Sequence, residues 1–151
     1  MTMIRRFRAF DLPASHSRQL LETISHHKAS EEIEIAVEHC FYIDTSRELE
    51  EHEEGILDWL LAETFEPHRF ARSSFLDHTR GLVLEVGPRM SFTTAWSTNA
   101  VSVCRACGLD AVTRIERSRR FLLQAHRDLT HPGRGPRRTR EGQPRAGIGV
   151  R

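Results

Sequence analysis

The chain has 151 residues, enough for one ordinary domain and too few for two large ones. Hydrophobic residues make up 38% and charged residues 28%, which is typical of a globular chain and excludes a wholly disordered one. The formal net charge of +1 hides an asymmetry, because residues 127–151 carry seven arginines against Asp128 and Glu141. That segment has a net charge of +5 and the first 126 residues have −4, so we predict a mildly acidic body with a basic tail.

The first predicted elements are a strand, a helix and a long strand. Residues 4–10 are short and partly apolar, and Ser15 is well placed to cap a helix with Leu20 and Ile24 on its apolar stripe. This helix is expected to fray near residues 26–28. Between residues 33 and 43, apolar residues and His39 occupy one parity, which predicts a half-buried strand. His39 on such a parity is more typical of a packed histidine than of a ligand.

An acidic helix follows the long strand. Thr45 and Glu48 fit a capping box, and carboxylates at residues 48–54 suit the positive end of the helix dipole. We interpret this acidic run as a solvated face rather than a metal site. The predicted buried face consists of Leu49, Ile56, Leu57, Leu60 and Leu61, with Trp59 at its edge. Residues 64–80 are predicted to be a loop, and residues 81–86 a strand.

A third helix and two short strands complete the predicted fold. Ser97 or Thr98 can cap the helix, and Gly108 can end it in a left-handed turn. The residues at i, i+3, i+4 and i+7 spacing are Ala100, Val103, Cys104 and Cys107. Residues 111–117 and 121–123 are strand candidates. The order predicts an α+β fold, a mainly antiparallel sheet with helices on one face, in a domain of residues 1–126. The tail, residues 127–151, is predicted to be disordered because Gly, Pro and Arg dominate it.

Cys104 and Cys107 have a spacing that could supply half a zinc site or a redox dithiol. No second cysteine pair or fixed histidine spacing completes four ligands, and helical periodicity places both sulfurs on the apolar face. We therefore favour a structural role for both. Three cysteines with no apolar leader at the N-terminus favour a reducing, cytoplasmic location, and the lack of a long apolar run predicts no membrane span.

The stretch from residue 85 to residue 109 is the most informative part of the sequence. It predicts a strand, a tight turn at Gly87-Pro88, a polar loop and a helix. Hydroxyl and amide side chains crowd residues 91–99, around a helix N-terminus whose free N–H groups can meet a carboxylate or another anion. Simple capping explains such a loop. With Arg89 and Trp96, it could also form an interface held by neighbouring domains.

Two motifs carry a resemblance to a known family. They read Glu85-Val-Gly-Pro-Arg-Met-Ser-Phe-Thr-Thr-Ala-Trp-Ser-Thr-Asn99, continuing to Leu109, and Val112-Thr-Arg-Ile-Glu-Arg-Ser-Arg-Arg-Phe121. In order and spacing they resemble the N-terminal domain of phosphoribosylformylglycinamidine synthase, over about residues 3–123. The family's full-length enzyme uses ATP and glutamine to convert formylglycinamide ribonucleotide to the amidine, in purine biosynthesis.

The resemblance implies a ferredoxin-like pseudo-dimer, similar to a small subunit that bacteria make separately. It implies an inter-domain role between synthetase and glutaminase domains, without catalysis by this chain alone. The residues expected to make the contacts are Arg89, Trp96, Ser97, Thr98, Asn99, Arg114, Glu116 and Arg117. We expect no cofactor in this chain, with ATP and Mg²⁺ confined to the synthetase domain, and no membrane or nucleic-acid partner.

Three alternatives stay open from the sequence. In the first, the chain is a truncated gene model, an alternative transcript or a fragment, with a non-family tail after Leu123. In the second, it is a free-standing subunit that joins separate synthetase and glutaminase chains. The third is an RNA-binding module that works through the tail. Arg and Gly suit RNA, but the tail has no aromatic platform, and a charge of +5 gives only weak, salt-sensitive attraction.

Overall fold

The computed structural model describes residues 2–25 and 32–126, which form one antiparallel sheet and three α-helices. The strands are β1 (Thr2–Ala9), β2 (Glu32–Thr45), β3 (Phe70–Ala71), β4 (Leu82–Val86) and β5 (Val112–His126). The helices are α1 (Ala14–Ser25), α2 (Glu51–Ala62) and α3 (Ala95–Ala106), and Pro67–Arg69 forms one 3₁₀ turn. The strand order is β3-β1-β2-β5-β4, and every pair is antiparallel. The predicted α+β class and antiparallel sheet are confirmed.

The long strands β2 and β5 form the centre of the sheet. Their register places Ile43 opposite Ile115 and Val37 opposite Phe121, with a shift at Asp44/Thr45. The prediction of two short strands at residues 111–117 and 121–123 was wrong, because β5 runs through the polar residues between them. Arg120 does not interrupt the strand, since its guanidinium bonds to the Glu38 carboxylate on the neighbouring strand at 2.8 Å.

The two faces of the sheet differ in character. The face that carries Phe41, Ile43 and Ile115, here called the helical face, packs against α2 and α3. Leu57 of α2 and Leu109 after α3 are fully buried against it. The opposite face, here called the loop face, is crossed by residues 72–81 rather than by a helix. Burial of apolar side chains from α2 and α3 therefore supplies most of the core on one side only.

The loop face contains a buried ionic network. Glu38 is fully buried and accepts hydrogen bonds from Arg120 Nη1 at 2.8 Å, Ser74 Oγ at 2.7 Å and the Phe75 N–H at 2.8 Å. The second Arg120 terminal nitrogen lies 3.0 Å from His78 Nε2, so this histidine nitrogen accepts. The network attaches the crossing loop to the sheet, because each partner satisfies a group that burial would otherwise leave unpaired.

The start of α2 differs from the prediction. The helix begins after Glu50, whose N–H donates to the Glu53 carboxylate at 2.9 Å, while Thr45 Oγ1 bonds to the carbonyl of Thr2 instead. The capping box at Thr45 and Glu48 was therefore wrong. A hydrogen bond from Arg47, together with that of Glu50, lowers the pKa of Glu53 to about 2.

The acidic face of α2 is paired with arginines rather than merely solvated. Arg6 of β1 is buried and donates from Nε to Asp58 at 2.6 Å, and Arg72 donates to the other Asp58 oxygen at 2.7 Å. Glu54 also pairs with Arg72. The prediction of a solvated face was therefore incomplete, because the arginines that pair with these carboxylates lie on distant segments of the chain. The predicted buried face is confirmed, with Leu49 and Leu57 buried and Trp59 72% exposed.

The cap of α3 is Thr94, not Ser97 or Thr98. Thr94 Oγ1 accepts the Ser97 N–H at 3.1 Å, and Ser97 lies fully buried inside the helix. The buried side chains of α3 are Ser97, Val101 and Cys104, whereas Val103 is 52% exposed. The predicted stripe was therefore right at Cys104 and wrong at Val103. Gly108 has φ +82° and ends the helix as predicted.

Some predictions fall outside the described residues. These are the fraying of α1 at residues 26–28 and the disorder of the tail at residues 127–151. The division at residue 126 and the pseudo-dimeric relationship stay predictions.

Candidate inter-domain surface

The segment from Gly87 to Asn99, here called the polar loop, is attached to the first half of β5. β4 pairs only with residues 119–123 of β5, so a strand does not cover that edge of residues 112–118. The start of α3 covers it instead, and Ser97 Oγ accepts the N–H of Ile115 at 3.1 Å. A buried backbone donor that has no strand partner is thereby satisfied by a helix side chain.

Glu116 fixes the N-terminus of α3. This carboxylate is 1% exposed, and its two oxygens accept the Thr94 N–H at 2.9 Å and the Thr94 hydroxyl at 2.8 Å. Thr94 in turn caps the helix through Ser97. The carboxylate therefore satisfies a free donor at the helix start and places negative charge at the positive end of the helix dipole.

Arg114 holds the preceding part of the polar loop. Its Nε lies 3.3 Å from Glu116 Oε1, and its terminal nitrogens donate to the carbonyls of Met90 at 2.8 Å and Phe92 at 2.6 Å. One guanidinium thus ties two loop carbonyls and one buried carboxylate together, a use for which its planar set of donors is suited. We call the group formed by Thr94, Arg114 and Glu116 the brace.

The turn at Gly87 needs glycine for reasons of space. A Cβ atom at this position would lie 2.8 Å from the Cβ of Ser118, closer than two such atoms approach in proteins. The Ser118 hydroxyl also bonds to Glu85 at 2.6 Å, so the β5 residue beside the turn is itself held in place. The chain consequently leaves β4 in one direction, towards the brace.

The exposed part of the polar loop presents an aromatic ring and cations. The Trp96 side chain is 37% exposed, with its ring 6.3 Å from that of Phe41 and the Arg117 guanidinium 5.2 Å from its centroid. Arg89, Thr98 and Asn99 are exposed. Trp96 and Asn99 also line a cavity of about 290 Å³ with Leu60, Leu61 and Val103. Tryptophan and arginine are the residues that most often dominate protein–protein contacts.

The predicted contact residues therefore separate into two groups. Ser97, Arg114 and Glu116 bond within the chain, so their part in any contact would be to position the polar loop. Arg89, Trp96, Thr98, Asn99 and Arg117 are exposed. The sequence interpretation missed Thr94, and a threonine directly before the first apolar-periodic residue was the available signal. It also missed Leu60 and Leu61 as cavity residues, since helical periodicity assigned both to the core.

His39 and Cys104 pack against other side chains of the fold. The His39 ring stacks on Phe10 with centroids 4.2 Å apart, and burial together with Arg117 lowers its pKa to about 4. Burial raises the pKa of the Cys104 thiol to about 11, so this group stays a protonated thiol at neutral pH.

Across residues 2–25 and 32–126, no three His, Cys, Asp or Glu side chains cluster as a metal site would require. None of the three helices described here has the length and apolarity needed to cross a membrane.

Comparison with known protein families shows which family this chain belongs to. The family of formylglycinamide ribonucleotide amidotransferase N-terminal domains matches residues 38–137, 100 of the 151 residues. The chain belongs to this family. The matched residues include both sequence motifs and all three residues of the brace.

Curated relatives carry the name of the corresponding enzyme. A probable phosphoribosylformylglycinamidine synthase, chloroplastic/mitochondrial, of Arabidopsis thaliana is 42% identical over 126 residues, covering 80% of this chain and 9% of that protein. The phosphoribosylformylglycinamidine synthase of Dictyostelium discoideum is 46% identical over 99 residues, 60% of this chain and 7% of its own length. The human synthase is 51% identical over 63 residues, 41% of this chain and 4% of its own. The chain thus spans less than a tenth of the length of these relatives.

The fold brings the two family motifs together. Residues 85–99 supply the polar loop and the helix start, and residues 112–121 supply the β5 side chains that hold them. The contacts between the two motifs are Glu116 with Thr94, Arg114 with two loop carbonyls, and Ile115 with Ser97.

Proposed function

We propose that this chain is a non-catalytic inter-domain module of a phosphoribosylformylglycinamidine synthase. In the longer enzyme, ATP- and glutamine-dependent amidation of formylglycinamide ribonucleotide takes place in synthetase and glutaminase domains, as a step of purine biosynthesis. This chain lies between those domains and holds neither ATP nor Mg²⁺, which the synthetase domain binds. We place the enzyme in the cytoplasm, whereas the name of the plant relative places that protein in organelles.

The observation that carries the proposal is the brace. Both Glu116 oxygens accept hydrogen bonds from Thr94. Arg114 donates to two loop carbonyls and to the same carboxylate. Glu116 is buried, and Thr94 and Arg114 are half-buried. These groups therefore fix the shape of the polar loop, whose exposed residues include Trp96 and Arg89. A fixed loop that presents an aromatic ring and a cation suits a contact between domains, because little conformational entropy is lost when it docks.

A cleft between α2 and α3 supports the same role. The cavity beside Trp96 has apolar walls from Leu60, Leu61 and Val103, and a side chain from a neighbouring domain could enter it. Apolar insertion beside a tryptophan and an arginine matches the usual anatomy of a contact, with an apolar centre and a polar rim. The proposal therefore assigns the polar loop and this cavity to one continuous contact.

The test uses the Dictyostelium synthase without the region that matches this chain. We expect the 151-residue chain alone to show no glutamine-dependent amidation, and to raise the turnover of the shortened enzyme when the two are mixed. A chain with Arg89→Glu and Trp96→Ala should restore less turnover, whereas Arg105→Glu, an exposed charge change elsewhere on α3, should restore as much as the wild type.

Each outcome has a clear meaning. Turnover by a clean preparation of the chain alone would contradict the non-catalytic assignment. Equal restoration by the wild type and the double variant would contradict the contact surface. Stable co-elution of the chain with separately expressed synthetase and glutaminase chains would favour a free-standing subunit over a covalently joined module.

A further inference from the structure

One part of the helical face is left largely open by the described helices: Leu84, Val86, Arg117 and Arg119 are exposed there, and Phe121 and Leu123 are half-buried beside α1. It lies between α1 and α3, along β4 and β5, and we call it the open strip. The strand register places Leu84 opposite Phe121 and Val86 opposite Arg119 on this face. The residues of the open strip are Leu84, Val86, Arg117, Arg119, Phe121 and Leu123. Leu84 is 46% and Val86 65% exposed, which is unusual for apolar residues of a sheet face.

The apolar end of the open strip borders a cavity. This cavity has a volume of about 230 Å³ and lies beside α1, with Leu20 and Ile24 on one side and Leu84, Phe121 and Leu123 among the residues on the other. Its walls contain no charged side chain. A cavity of this kind accepts aliphatic or aromatic side chains, because water gains no hydrogen-bond partners there.

The other end of the open strip carries two unbalanced cations. Arg117 and Arg119 are exposed, and within residues 2–25 and 32–126 neither forms a salt bridge with a carboxylate. Other arginines on the same face are paired, Arg6 with Asp58 and Arg8 with Glu63. The contact of Arg117 with the Trp96 ring leaves its charge uncompensated. The strip therefore favours a partner with carboxylates at this end.

We propose that the open strip docks an acidic amphipathic helix from a neighbouring protein segment. From Arg117 to Leu123 the strip is about 20 Å long at about 3.3 Å per strand residue, which matches a helix of about 13 residues. Apolar side chains of the helix enter the cavity, and carboxylates near its C-terminus meet Arg117 and Arg119. The negative end of the helix dipole adds to the attraction. This inference rests on the proposed inter-domain role, since it supposes a neighbouring segment.

The test uses the full chain and two synthetic peptides. Each has 14 residues, a side-chain crosslink that keeps it helical, and leucines at i, i+3, i+4 and i+7. One carries three glutamates in its last turn and the other carries three lysines. Fluorescence anisotropy at low salt should show the glutamate peptide binding roughly fivefold or more tightly. The order should invert for R117E/R119E, and not for the control R80E/R105E, which changes the same charge at exposed sites elsewhere.

Separate variants test the apolar end of the open strip. Leu84→Glu should weaken binding of the glutamate peptide more than tenfold, whereas Trp59→Glu, at an exposed position on α2, should not. The proposal is overturned by equal binding of both peptides, by no binding at millimolar concentration, or by binding that Leu84→Glu leaves unchanged. It is also overturned if light scattering finds a dimer that Leu84→Glu dissociates, because a second copy then covers the strip. Leu84 lies outside the polar loop and its cavity, so the result for Leu84→Glu leaves the proposed function to its own test.

Discussion

The two faces of the sheet are held by different physical interactions. The helical face buries Leu57, Leu109 and Ile115 under α2 and α3, so its stability comes from apolar area removed from water. The loop face instead buries Glu38 and Arg120 in a network that fixes residues 74–75. A network of this kind fixes geometry more than it adds stability, because desolvation of the charges offsets much of their attraction. The brace at the polar loop repeats this second strategy where the family motifs meet.

The largest expected effect comes from breaking the ionic network at one partner. Glu38→Ala leaves Arg120 buried without its carboxylate, and should cost about 3–5 kcal/mol of unfolding free energy, measured by urea titration. The double variant Glu38→Met with Arg120→Met should recover most of this loss, because it removes both charges. A double variant as unstable as Glu38→Ala would show that the ion pair itself, and not its imbalance, determines stability.

A cavity in the apolar core should have a comparable but smaller effect. Leu57→Ala removes a fully buried side chain and should cost about 3 kcal/mol in the same titration. Trp59→Ala, two residues away and 72% exposed, serves as the control and should change stability by less than about 0.5 kcal/mol. Similar losses in both variants would mean that α2 does not pack as described.

The cap of α3 should contribute less. Thr94→Ala removes the hydroxyl that accepts from Ser97 and donates to Glu116, and should cost about 1–2 kcal/mol. Thr98→Ala, an exposed position within the same helix, should be close to neutral. Hydrogen exchange of residues 91–99 should accelerate only in Thr94→Ala. Equal exchange in both variants would place the constraint on the loop elsewhere.

The smallest expected effect is a pH dependence at the start of α2. The pKa of Glu53 is lowered to about 2, so its contribution is present above about pH 4.5 and is lost as the pH falls towards 2. Protonation of His39, whose pKa is lowered to about 4, acts in the same direction as the pH falls from about 6.5. Glu53→Gln should therefore narrow the stability difference between pH 6 and pH 3, measured by thermal unfolding. An unchanged difference would contradict the Arg47–Glu53 pair.

The difference between the helical face and the loop face explains which parts of the fold the sequence could predict. Apolar alternation in β2 and helical spacing in α2 predicted the helical face, because period and burial are properties of local sequence. The ionic network was not predictable, since Glu38 and Arg120 lie far apart in the chain and each alone resembles a surface residue. Arg120 lies in the gap between the two short strands that were predicted where β5 is continuous. Pairing across the sheet, and not local pattern, decides the position of these charges.

In the polar loop, the sequence identified the segment but not the role of each residue in it. Thr94, Ser97 and Thr98 are all acceptable caps by residue type, and Glu116 selects Thr94 by bonding to both its N–H and its hydroxyl. The motifs predicted which segments matter, and the fold separates the members that brace the loop from those that it exposes. Arg89, Trp96, Thr98 and Asn99 remain available for a contact, whereas Ser97 and Glu116 do not.

The most direct test of the inter-domain role is an activity measurement on a joined enzyme. In the Dictyostelium synthase, residues 2–126 of this chain replace the matching region, and kcat/KM for glutamine-dependent amidation is compared with and without Arg89→Glu and Trp96→Ala. We predict a roughly tenfold loss, equivalent to about 1.4 kcal/mol, at a temperature at which the isolated 151-residue double variant is still folded. Full activity of the double variant would contradict the assignment of the polar loop as a contact between domains.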